Sequence, residues 1–60
     1  MSTLTLPDLE QVYDRLAEAI DAVPPDRREL MLAKLALLLA QALGDRPTIE
    51  RQIEAACRDL

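Results

Sequence analysis

The chain has 60 residues, half of them hydrophobic, with a formal net charge of −4 and an isoelectric point near 4.5. A chain this short makes one domain and buries only about 60% of its unfolded surface on folding, so it commonly depends on a disulfide, a metal or a partner chain. With a single cysteine, Cys57, and no histidine, neither an internal disulfide nor a structural zinc site of the usual ligands can form, which leaves association.

The first four residues read as a loose end. Thr5-Leu6-Pro7-Asp8 then has the form of a capping box, with Thr5 as N-cap, Pro7 tolerated in the first turn and Asp8 returning to the cap. Leu9, Val12, Tyr13, Leu16, Ala17, Ile20 and Val23 follow at helical spacing and form one apolar stripe. Pro24 has no amide proton and restricts the residue before it, so a first helix is expected over about 6–23.

Pro25 suits the first position of a second helix, and Asp26 and Glu29 place negative charge near the positive end of its dipole. This helix, expected over 25–43, contains LMLAKLALLLAQALG and is apolar almost all the way round. Arg27, Lys34 and Gln41 stand seven residues apart and fall within about 20° of one line, forming its single polar stripe. Opposite lie Leu32, Ala36, Leu39 and Leu43, the expected core positions, while Ala33 and Ala40 on one flank would let a neighbouring helix approach. Leu30 and Leu37 border the polar stripe on that side, and Met31 and Leu38 border it on the other. Two outer helices with narrow stripes can cover the centre of this surface but not both borders. Leu30, Met31, Leu37 and Leu38 are therefore the candidate partner-binding residues.

Gly44 suits a left-handed C-cap, and Asp45 or Thr48 can cap a third helix over about 46–59 with Pro47 early in it. Ile49, Ile53, Ala56, Cys57 and Leu60 lie along one side of that helix. The short connections predict an all-α fold, a three-helix up-down-up bundle forming one domain over 1–60, oligomeric or bound to a partner.

Little in the chain carries chemistry. Cys57 shares the Ile53 and Leu60 face, has no histidine to act as base, and is expected to be a small core residue. Tyr13, the only aromatic residue, is expected at the core edge with its hydroxyl reaching water or a carboxylate. Glu10, Asp14, Glu18 and Asp21 run along the outer side of the first helix as a solvated face, with electrostatic docking of a basic partner as the functional alternative. No catalytic, cofactor-binding or metal-binding residue is assigned, and one glycine provides no phosphate-cradling loop. The scattered basic residues form no nucleic-acid footprint, and the acidic balance disfavours anionic membranes. The leucine run is broken by Lys34 and Gln41 and falls short of the roughly 20 apolar residues of a membrane span. A cytoplasmic location is expected.

Val12-Tyr13-Asp14, Leu16, the turn after Val23 and above all LLLAQALGD at Leu37 to Asp45, followed by a short third helix, resemble the small bacterial domain-of-unknown-function family 2783. The resemblance covers nearly the whole chain. It implies a bacterial, cytoplasmic, three-helix protein with no assigned activity. Genes of this type often neighbour flavin-dependent monooxygenases of aromatic breakdown, which implies an accessory subunit or chaperone for such a flavoprotein. Where the family pattern carries two asparagines and a histidine, this chain has Leu32, Gln41 and Ile20, so no polar role is carried over to them.

The expected function is thus non-catalytic protein association, as a homo-oligomer or with a larger protein such as a flavoprotein, without cofactor, nucleic acid or membrane. The alternative from another class is a small enzyme or ligand carrier that uses Tyr13 and the first-helix carboxylates in a pocket formed on oligomerisation.

Overall fold

The computed structural model describes residues 3–60, so Met1 and Ser2, half of the expected loose end, lie outside it. The described residues form three α-helices and no strand: α1 (Leu6–Ala22), α2 (Arg28–Leu43) and α3 (Arg46–Cys57), with a 3₁₀ turn at Pro25–Arg27 leading into α2.

Thr5 adopts an extended backbone (φ −67°, ψ 158°), and its Oγ1 accepts a hydrogen bond from the Asp8 amide at 3.3 Å, which satisfies one of the free amides at the start of α1. Val23 is extended as well (φ −93°, ψ 135°), the conformation favoured for a residue before proline, so α1 closes at Ala22. The following prolines give a tight 3₁₀ turn, and the Arg27 amide donates to the Pro24 carbonyl at 2.9 Å. True α-helix therefore begins at Arg28, three residues after Pro25.

α2 ends at Gly44, whose φ of +71° lies in the left-handed region where a side chain is strained, and whose amide donates to the Ala40 carbonyl at 2.9 Å. Asp45 then sits at the N-cap of α3. Its carboxylate makes no bond to the helix backbone but accepts from the Thr48 hydroxyl, while Thr48 Oγ1 accepts from Arg51 Nη2 at 3.0 Å. Arg46 Nε and Glu50 Oε2 pair at 3.2 Å, one turn apart on the solvent side. α3 closes at Cys57, and Asp59 beyond it has φ +57°.

The local order is not matched by a packed interior. Among the described residues none is buried, and no two Cα atoms twelve or more positions apart lie within 8 Å. The accessible surface is 5598 Å². A compact protein of 6.7 kDa would expose about 3,900 Å² and its extended chain about 9,700 Å², so this chain hides about 42% of its surface where a typical 60-residue domain hides about 60%.

Candidate functional site

The helices meet at corners. At the first, Arg28 Nε donates to two carbonyls at the end of α1, Ile20 at 2.9 Å and Val23 at 3.1 Å. α1 carries no basic residue in its last turn, so this guanidinium both occupies orphan carbonyls and places positive charge at the negative end of the helix dipole. Ile20, Val23, Met31 and Leu35 are half-buried around the corner. At the second corner Ala40 and Leu43 of α2 and Thr48 and Ile49 of α3 are half-buried.

Beyond the first corner the facing sides of α1 and α2 form an open groove of about 640 Å³. Val12, Leu16 and Ala19 of α1 and Met31, Leu35 and Leu39 of α2 make its apolar walls, Leu4 reaches in from the segment before α1, and Asp8, Gln11 and Arg15 stand along one rim. A smaller hollow of about 380 Å³, which shares Met31 and Leu35 with the groove, is lined by Val23, Leu30, Met31, Leu35 and Leu38, with Arg27 and Lys34 as its polar members.

The candidate partner-binding residues divide. Met31 is half-buried at the corner, whereas Leu30, Leu37 (72%) and Leu38 (67%) are exposed. The expected core of α2 is corrected: Leu43 is half-buried, but Leu32, Ala36 and Leu39 (60%) are exposed. The reason is the angle at which α1 meets α2. It leaves the two helices without close packing beyond the Arg28 corner, since no two Cα atoms twelve or more positions apart lie within 8 Å among the described residues, so even Leu39, which lines the groove facing α1, stays open to solvent. Leu35, which the leucine pattern does not single out, takes the covered place.

Two further expectations are corrected for the single chain. Cys57 is exposed, because it is the last residue of a twelve-residue helix whose contact with α2 is confined to the opposite end. Tyr13 is 73% exposed, since it stands at the edge of the α1 stripe beyond the reach of α2. Glu10, Asp14, Glu18 and Asp21 are all exposed and lie on the side of α1 away from Leu16. The groove and hollow described above include none of the four carboxylates, nor Tyr13.

Arg28 is the residue that sequence reasoning misses. Its signal is an arginine placed a few residues after a proline-stopped helix that has no basic residue in its own last turn. Among the described residues no group of three or more His, Cys, Asp or Glu side chains is placed to hold a metal, and no helix is long and apolar enough to cross a membrane. In comparison with known proteins, no family model matches the chain, and neither a curated protein nor a solved structure matches it.

Proposed function

We propose that this chain is a non-catalytic association module, acting in the cytoplasm as a self-assembling helical bundle or as a small subunit of a larger protein. One observation carries the reading. The chain exposes about 1,700 Å² more than a compact protein of its mass, and the excess is rich in leucine side chains of α2. Helices of 17, 16 and 12 residues are marginal alone in water, so their stability must come from packing, and the single chain supplies little of it. In this reading the three helices complete an up-down-up bundle when another surface covers α2. The likeness of LLLAQALGD to the small bacterial family gives the larger-protein form of the reading a candidate, a flavin-dependent monooxygenase.

The test is a concentration series followed by light scattering and circular dichroism. Folding coupled to association makes the helical signal fall on dilution. Leu39→Glu changes a groove-lining side chain that is 60% exposed in the single chain, so it leaves the chain's own corners intact and acts on association. Covering one leucine is worth about 1.5 to 3 kcal/mol at most, and an unpaired charge in its place adds a penalty, so the variant should associate at least about tenfold more weakly. A wild type that stays monomeric and unfolds cooperatively at micromolar concentration would overturn the proposal.

A further inference from the structure

We infer that the α1–α2 groove is completed by a second copy of this chain, whose α1 lies antiparallel in it about a two-fold axis near Val12. The inference rests on the association reading and names its partner and its surface. Area is the first argument. Two separate chains expose about 11,200 Å², and a compact protein of their combined mass exposes about 6,500 Å². The difference, about 4,700 Å², falls within the range buried by obligate homodimers, so the surplus is of a size that a second copy can cover.

The second argument is the charge on the rim. Asp8 and Arg15 lie on the same wall, seven residues or about 10.5 Å apart along α1, with Gln11 and Val12 midway between them. Among the described residues neither forms an ion pair. A two-fold axis through the midpoint, between Gln11 and Val12, sets each Asp8 opposite the other copy's Arg15, and each Gln11 opposite the other copy's Val12. A wall that carries one charge of each sign at equal distances from its centre is complementary to its own antiparallel copy, as an isologous interface requires. The half-exposed Leu9 and Val12 then enter the neighbouring groove and meet its Leu39. Glu10, Asp14 and Asp21 stand on the side of α1 away from Leu16, and Glu18 stands one turn beyond Arg15 at the edge of the rim, where the axis sets it opposite Thr5 of the other copy and not opposite another carboxylate.

Rim ion pairs contribute little affinity and mainly set register, which makes charge reversal a test of placement. Equilibrium sedimentation at low salt is measured for wild type, Asp8→Arg, Arg15→Glu, the double variant, and an equimolar mixture of the two single variants. Each reversal sets like charges together at two symmetric places, so each single variant should dimerise about tenfold more weakly, with the effect fading in 1 M salt. The double variant, and the mixture as a heterodimer, should regain wild-type affinity within about twofold. A wild-type dimer indifferent to both single reversals, or a double variant no better than the singles, would overturn the placement and leave association standing. A chain that stays monomeric and unstructured until a different protein is supplied would overturn the second copy as the occupant, again without touching association. A monomeric, cooperatively folded wild type would overturn both.

Discussion

Arg28 offers the sharpest test of how a chain with so little interior holds its shape. One N–H of its guanidinium is shared by the Ile20 and Val23 carbonyls, a three-centre bond between a cation and the negative end of α1. Hydrogen bonds to charged groups contribute about 1.5 to 3 kcal/mol, and those to neutral groups about 1. Arg28 is half-exposed and divides one proton between two acceptors, so the lower end of that range, about 1.5 kcal/mol, applies. Replacing it by methionine retains an unbranched apolar stem against the corner and removes every donor. In a domain of this size 1 kcal/mol corresponds to about 4 to 8 °C, so Arg28→Met should lower Tm by roughly 10 °C at fixed protein concentration. Arg28→Lys keeps the charge but not the planar fork, and should fall between the two. Thermal unfolding of the three proteins by circular dichroism at matched concentration decides the matter. A methionine variant within 2 °C of wild type would show that the corner is held by packing and that the guanidinium adds nothing.

Gly44→Ala should cost about 1 kcal/mol or slightly more in urea unfolding, because alanine must adopt φ +71°; the nearest atom to an added Cβ is the Gln41 carbonyl oxygen at 3.9 Å, so the penalty is conformational and not steric. Thr5→Ala removes the bond to the Asp8 amide and should cost about 1 kcal/mol, while Thr5→Asp should recover most of it. Cys57 is exposed, so a neutral thiol reagent should modify it in native protein nearly as fast as in urea; strong native protection would place it under a partner surface. Chelator should leave Tm unchanged, and a lowered Tm would reveal a site built from carboxylates of more than one chain.

The parts of this fold that are legible in the sequence are those decided within four or five residues. Thr5 caps because its hydroxyl meets an amide three residues on, Val23 is extended because Pro24 follows it, and Gly44 ends α2 because glycine enters the left-handed region without the penalty of a Cβ. Arg28 is not legible in this way, since it bonds a carbonyl eight residues back and depends on how the 3₁₀ turn aims the chain. The exposure of Leu39 is harder still. A helical wheel fixes its angle relative to Lys34, but its burial depends on how closely α1 packs on α2, and beyond the corner at Met31 and Leu35 no close packing follows. Cys57 fails for a related reason: it shares a stripe with Ile53, yet the stripe runs past the end of the contact between α3 and α2.

α2 explains why local and global order part company here. In α1 one narrow stripe tells the helix which way to face, and the acidic residues on its other side reinforce the choice. α2 has apolar side chains at nearly every angle, so turning it about its axis exchanges one leucine for another at small cost, and its own sequence does not select a face. Selection therefore has to come from outside the helix. The Arg28 corner supplies part of it by holding the end of α1 along the Met31 and Leu35 line. That leaves leucine surface on both flanks of the contact, Leu32 and Leu39 on one and Leu38 on the other. A sequence that stabilised only a lone three-helix unit would gain from polar residues at those places, since exposed leucines contribute nothing to an isolated chain and favour nonspecific aggregation. Leucine there gains most where another surface covers it, and the composition of α2 is the physical ground on which the proposed association rests.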